Sequence, residues 1–579
     1  MSGDRAASVD RLFDAAVDTY ERGDPARALE MVEELLRAHP NHLAALFMAG
    51  SLSLAAGRPS HALAALETLL RQRPQDGEAL HLLGSACFQL GRWPEAVTAY
   101  RAARRSGRTT PDLLNNLALA LKETGDVEGA VLAYREALDL NPADPAVHNN
   151  LGTALNRLHD HAGAIAAYRR ALELEPGNAD VWANLATICE HANMEEETEQ
   201  AVARGLEADP QHENLHLLAA RCARRRGDFA GAAAGLERRR AATPPVSAGI
   251  HRVMEYELGR CYDLLGDYDR AFRHYTEANR MTAMLWPDLR AGADAFLEDL
   301  RDRLVASTPA MLRTWPASPP EQRRSPVFLV SFPRSGTTLM DTILGAHPGV
   351  AVLEEEPPLD LLVNERLRAL PEGYPRCVAG LSSAAIVELR AAYWRAVDDI
   401  LGDSATDLMV VDKNPFYSTH AGLIQLLFPG AKFIFALRHP CDVVLSCFMQ
   451  AFGRNPALEN FRDLTTAALA YQRVMDLWLC YRENLDLTVH DLRYESLVAD
   501  KDREIRALLD FLGLEWQDAM QDHTQHAKKR GRIYTPSYHQ VIQPIYSASV
   551  DRWKLYARHY GPALETLRPY VERFGYSLD

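Results

Sequence analysis

The stretch VFLVSFPRSGTTLMDTILGAHPGV, residues 327–350, decides the fold of the second half of the chain. Val327 to Val330 is a short, wholly apolar run, as expected of a strand buried on both faces of a parallel sheet. Ser331 to Gly336 reads as a turn, and from Thr337 the spacing of Leu339, Ile343 and Leu344 reads as a helix. A strand, a glycine turn and a helix N-terminus in that order form an anion site, because backbone N–H groups converge there and the helix dipole adds positive potential. Arg334 contributes a planar fork suited to phosphate, and Ser335, Thr337 and Thr338 contribute hydroxyl donors. The loop is not GxxxxGK[ST], because Gly336 is followed by Thr337 and not by lysine. A nucleotide with fewer phosphates, used without an essential metal, fits better than ATP. A tight strand–helix turn with no ligand is the plainer alternative.

A second block repeats the logic. KFIFAL (432–437) reads as another buried strand, which ends in Arg438, His439 and Pro440 before CDVVLSCFMQ (441–450). Arg438 thus stands at a strand C-terminus, where α/β sheets take ligands, and Ser446 follows in the next helix. The two suit a second phosphate. An ion pair of Arg438 with Asp442 is the competing reading of these residues alone.

Outward toward the N-terminus the chain is periodic. Pro40, Pro74, Pro142, Pro176, Pro210 and Pro244 fall on one 34-residue lattice that misses only at Arg108. Gly23, Gly57, Gly91, Gly125 and Gly227 share that period, with His159 and Asn193 at the missed steps. Ala28, Ala62, Ala96, Ala130, Ala164 and Ala232 follow five positions later, and Gly266 with Ala271 resumes the pattern after a short insertion. Each unit reads as two amphipathic helices: glycine at the turn, alanine where the helices approach, proline ending the unit. One unit cannot bury its own apolar faces, so the units stack. The period predicts about eight units over 8–284. A helical stretch and a proline-rich linker then fill 285–325, and a second domain spans 326–579.

Composition narrows the class. Of 579 residues, 47% are hydrophobic and 24% charged, which fits soluble globular protein. A net charge of −15 argues against nucleic-acid partners. There is no apolar run of about 18 residues and no signal-like N-terminus, so no membrane span or export is expected. Eight scattered cysteines without CxxC argue against disulfides or zinc and for a reducing cytoplasm. His420, His439, His523, His526 and His539 lack metal-ligand spacing and read as structural or surface residues; no metal is expected.

NNLALALKETGDVEGAVLAYREALDLNPA (115–143) and NNLGTALNRLHDHAGAIAAYRRALELEPG (149–177) closely resemble tetratricopeptide repeats. That resemblance implies an α-solenoid whose groove holds a peptide or protein; a packing scaffold or dimerisation arm is the alternative. PRSGTT resembles the 5′-phosphosulfate loop of sulfotransferases, and R-x-P-x-D-x-x-x-S their 3′-phosphate motif. AHPGVAVLEEEPP, VVDKNPF, LRYESLVADKDREIRALLDFLGLEW and TPSYHQVIQPIYSASVDRW extend the likeness over about 325–579. The blocks look most like tyrosylprotein sulfotransferases and the bacterial sulfotransferases fused to tetratricopeptide repeats. The fold class expected is therefore an α-solenoid followed by a P-loop-like α/β domain, a parallel sheet flanked by helices.

The resemblance implies transfer of a sulfuryl group from PAPS (3′-phosphoadenosine-5′-phosphosulfate) to an acceptor hydroxyl, leaving PAP. It makes Glu355 the base, with Glu354 the neighbour most easily confused with it. It makes Lys413 and Ser537 the residues that assist charge at the transferring group. It places Arg334, Ser335, Gly336, Thr337, Thr338, Arg438, Ser446, Tyr494 and Arg552 around the donor. Without it, the EEE run reads as a solvated turn and Lys413 as a surface lysine paired with Asp412. Gln450 departs from the pattern, since tyrosylprotein sulfotransferases carry arginine there. The basic run Lys528, Lys529, Arg530 and Arg532 reads as a steering loop for PAPS or an acidic acceptor, or as a solvated loop. The preferred acceptor is a tyrosine in a polypeptide; the alternatives are a sugar or glycolipid, a non-catalytic scaffold that keeps a PAP-binding fold, and a P-loop kinase. Tyrosylprotein sulfotransferases tend to be dimers, which implies a homodimer unless the repeats occupy that interface.

Overall fold

A computed structural model describes residues 2–402, 407–521 and 549–579. The chain divides into two compact units, Met1–Arg226 and Gly227–Asp579. Among the described residues no helix is long and apolar enough to cross a membrane.

The first unit is helical throughout. Twelve helices, from Ser2–Glu21 to Glu195–Ala208, form six consecutive hairpins, and Glu213–Arg225 follows. The turn residues adopt left-handed backbone, as at Gly125 with φ 90°. His159 (φ 62°) and Asn193 (φ 56°) do the same without glycine's freedom, so the helices on either side impose the turn. The alanines five positions on are sealed: Ala28, Ala62, Ala96, Ala130 and Ala164 each have 0% exposure. Side chains such as Asp126, Asp144 and Asp160 accept from the N–H groups of the helices that they start. An amide ladder runs along the first helices of successive hairpins. Asn150 donates to Asn115 at 3.1 Å and Asn184 to Asn149 at 3.0 Å, and Asn116 lies 3.2 Å from the His81 ring.

Among the described residues the second unit carries one five-stranded sheet. Its strands are β1 (Val327–Val330), β2 (Val350–Glu354), β3 (Met409–Lys413), β4 (Lys432–Leu437) and β5 (Thr488–Arg493). The order is β2-β3-β1-β4-β5, and every pairing is parallel. The central strand β1 is flanked by strands that follow it in sequence on both sides, so the chain switches direction across the sheet there. Ligand crevices open at such points, beyond the strand C-termini. One face packs Val327, Leu329, Val411 and Ile434 against Leu339, Ile343 and Leu344 of helix Thr337–Gly345. The other face packs Phe328, Phe433 and Phe435 against Tyr393, Phe428 and Trp478.

The hairpin Ala248–Leu264 and Tyr268–Leu285, whose sequence continues the repeat pattern, belongs to this second unit. Phe272 stacks on His559 at 4.1 Å and on Phe448 at 5.0 Å. Asn279 donates to the Phe448 carbonyl at 3.0 Å. Asp263 takes both Arg552 and the Tyr556 hydroxyl.

Candidate active site

The phosphate loop is fixed from below. Ser331 N donates to the Pro415 carbonyl at 3.0 Å and its hydroxyl to the Ala436 carbonyl at 2.5 Å, which ties β1's exit to β3 and β4. The loop then bends through left-handed backbone at Arg334 (φ 71°) and Gly336 (φ 99°). Only glycine fits at 336. A Cβ there would lie 2.7 Å from Tyr494 Cδ2, so the tyrosine ring closes directly over the loop. Ser335, Thr337 and Thr338 are buried beside it at the helix N-terminus.

Four of the sequence candidates, Arg334, Arg438, Ser446 and Tyr494, meet here. Arg334 Nε donates to Ser446 Oγ at 3.2 Å, and Arg438 Nη1 to the Arg334 carbonyl at 3.1 Å. The Arg438 guanidinium lies 5.0 Å over the Tyr494 ring, and Tyr494 shares a 2.8 Å hydrogen bond with Ser549 Oγ. Arg438 Nη2 donates to the Ser549 carbonyl at 2.5 Å. Its Nε is buried with no hydrogen-bond partner among the described residues. The carboxylate of Asp442 accepts from Asp551 N and Trp553 N at 2.9 and 2.8 Å, holding the C-terminal segment against this helix. A two-arginine pocket with left-handed loop backbone, an orphaned guanidinium N–H and a helix N-terminus suits a nucleotide with two separated anionic groups.

The second cluster forms at the ends of β2 and β3. Side chains alternate along a strand, so Asp412 and Lys413 point to opposite faces. Asp412 enters the aromatic face, where Tyr393 donates to it at 2.8 Å; burial pushes its carboxyl up to about 8. Lys413 is not a surface residue and does not pair with Asp412. It has 0% exposure and lies 2.8 Å from Glu355, 3.2 Å from Asp341 and 3.9 Å from Glu354. Burial alone would pull its ammonium down, but the carboxylates of Asp341, Glu355 and Glu354 hold it above its ordinary value. Register explains the meeting: Glu354 is the β2 partner of Lys413, and Glu355 N donates to the Lys413 carbonyl at 2.8 Å. Glu355 then turns left-handed (φ 54°), and its carboxylate stays 43% exposed while Glu354 is 7% exposed.

Two candidates stand apart. Arg552 is bound to Asp263 and its guanidinium belongs to that ion pair. Ser537 and the basic run at 528–532 lie outside the described residues. Asp341 was not anticipated from the sequence. Its signal is a carboxylate inside a helix whose other residues from Thr337 to Leu344 are all buried, and a buried carboxylate requires a partner.

Residues 326–518 match the family model described as the sulfotransferase family, and residues 13–63, 47–111 and 115–193 match the tetratricopeptide repeat model. The chain carries a sulfotransferase domain behind tetratricopeptide repeats. The chain is 28% identical over 240 residues to protein-tyrosine sulfotransferase 1 of Danio rerio, covering 39% of this chain and 65% of that one. For protein-tyrosine sulfotransferase 1 of Homo sapiens the figures are 28% over 241 residues, 39% and 62%. An uncharacterised protein of Aquifex aeolicus is 28% identical over 338 residues, 56% of this chain and 41% of that one. The chain thus spans between 41% and 65% of the length of these three relatives. Among solved structures, a tetratricopeptide repeat protein from Parabacteroides merdae aligns with a TM-score of 0.35 at 14% identity, over 44% of this chain and 99% of that one.

Proposed function

We propose that residues 326–579 transfer a sulfuryl group from PAPS to an acceptor hydroxyl, and that the repeats, 1–284, present a polypeptide whose tyrosine is the acceptor. One observation carries this reading: Lys413 and Glu355 form a buried–exposed ion pair at the strand ends, on the face of the sheet that the phosphate-loop helix covers. In-line transfer needs positioned charge for the leaving oxygen and a base for the acceptor proton. Arg334, with the N–H groups from Ser335 to Thr338, holds the 5′-phosphosulfate, and Arg438 with Ser446 holds the 3′-phosphate. Glu355 takes the acceptor hydroxyl's proton. The acceptor oxygen–sulfur bond forms as the bond from sulfur to the 5′-phosphate oxygen breaks, and Lys413 with Arg334 balances the charge that collects on that oxygen. Ser537 assists the same step. Arg552, anchored on Asp263, acts by fixing the C-terminal segment rather than through its own charge.

The tyrosine acceptor is supported by the protein-tyrosine sulfotransferases among the relatives. It also draws on the asparagine ladder, which offers amide groups to an extended chain. The test is isothermal titration of PAP, then ATP, into the full chain without metal, followed by transfer from PAPS to tyrosine peptides and to glycans. Tight PAP binding without ATP binding supports the transferase, and peptide turnover supports the acceptor. Folded protein that does not bind PAP refutes the enzyme reading. Turnover of glycans alone refutes the tyrosine acceptor.

A further inference from the structure

We propose that Asp341 is a positioning residue for Lys413: it tethers the buried ammonium from the phosphate-loop helix, so that Glu355 is free to exchange its ion pair for the acceptor's proton. The inference rests on the function proposed above and deepens it.

The ammonium has three N–H donors. Two nearby carboxylates differ in kind. Glu355 ends β2 on left-handed backbone and is 43% exposed, so it can reach an incoming hydroxyl. Asp341 is 0% exposed, 3.2 Å from the same ammonium, and sits on the helix whose first residues form the anion site. Its other carboxylate oxygen has a polar neighbour on the same helix. Thr342 Oγ1 shares its one proton between the Thr338 carbonyl at 2.7 Å and Asp341 Oδ1 at 3.2 Å, which restrains the carboxylate from its own helix. One rigid element therefore carries both the donor's phosphate site and the lysine's anchor, and the distance between them does not depend on Glu355.

The remaining charges on this face are few. β2 supplies Glu354 at 3.9 Å and Glu355; β1 supplies Leu329, the apolar register partner of Lys413; Asp412 faces the other side. Without Asp341, the buried ammonium keeps Glu355 as its nearest counter-ion. Glu354 stays farther off at 3.9 Å, so the buried charge leans harder on Glu355. Glu355 is then less free to leave the ion pair, and the lysine follows it when it moves. The loss falls on the chemical step and not on donor binding.

The test is Asp341→Asn in the full chain, measured with PAPS and the acceptor that the wild type turns over. The expected result is a kcat lower by roughly 10- to 100-fold, the loss typical of a misplaced catalytic group. PAP affinity by titration should be unchanged, so that the loss appears in kcat alone. Thr342→Val, which keeps every charge, should lower kcat less and in the same direction. Wild-type kcat in Asp341→Asn overturns the inference while leaving the proposed function standing. So does a loss of PAP affinity in parallel with kcat, which would make Asp341 part of the donor site's scaffold. If Asp341→Asn does not fold, Thr342→Val decides: lowered kcat at constant PAP affinity supports the tether, and unchanged kcat refutes it. A wild type that neither binds PAP nor transfers refutes the proposed function itself, and the tether falls with it.

Discussion

Asp412→Asn replaces the buried acid of β3 by a neutral isostere and isolates one titration. Burial lifts this carboxyl from 3.8 to about 8, so near neutral pH the folded chain holds a proton that the unfolded chain has released. A raised folded pKa contributes stability that is fully present below the unfolded value and is lost as pH rises through the folded one. Between those values stability falls by about 1.4 kcal/mol per pH unit, or on the order of 5 kcal/mol in all. The amide does not titrate and still accepts from Tyr393. Relative to wild type, the variant should therefore gain about 3 kcal/mol between about pH 5 and pH 7.5, and the difference should level off above about pH 8. Urea unfolding of the full chain, followed by tryptophan fluorescence, reads this. Of eight tryptophans only Trp93 and Trp182 lie in the first unit, leaving 8 − 2 = 6 in the second. Trp394 is 5.5 Å from Tyr393, ring to ring. Parallel pH curves for wild type and variant would show that Asp412 is ionised in the fold and would refute the reasoning.

Other outcomes follow from the site and the repeats. Glu355→Ala should abolish transfer, by about 100-fold or more, with PAP affinity nearly intact by titration. Arg438→Ala should mainly weaken PAP, because it removes a buried fork and leaves Ser446 and Tyr494 in place; titration reads the loss. Gly336→Ala should lose PAP binding, since a Cβ 2.7 Å from Tyr494 forces the ring or the loop to move; binding at wild-type affinity would show that the loop tolerates the shift. His159→Gly should stabilise the first unit by about 0.5–1 kcal/mol, the left-handed penalty less glycine's entropic cost, read as a raised first transition in calorimetry.

What the sequence reveals depends on how local the cause is. The phosphate loop is legible because strand, turn and helix are contiguous, and the repeat turns because one 34-residue period states them several times over. Even His159 and Asn193, where the glycine signal fails, take the turn that the lattice assigns. The meeting of Lys413 with Glu355 is different. The two are 58 residues apart, and only the pairing of β2 with β3 brings them to 2.8 Å. Sequence adjacency suggests Asp412 as the lysine's partner, but strand alternation sends the two to opposite faces. Arg552 shows the same limit, since its partner Asp263 lies 289 residues away. Asp341 left only an indirect trace, a charge in a helix otherwise suited to burial.

The hairpin 248–285 has a practical consequence for recombination. Judged by sequence periodicity, the natural place to graft this sulfotransferase domain onto another repeat array is the proline-rich segment before β1. A cut there would remove Asp263, Phe272 and Asn279, and with them the anchors of Arg552, His559 and the end of the helix that carries Ser446. The portable cassette begins at Gly227, so any exchange of repeats must carry that last hairpin along with the sulfotransferase domain.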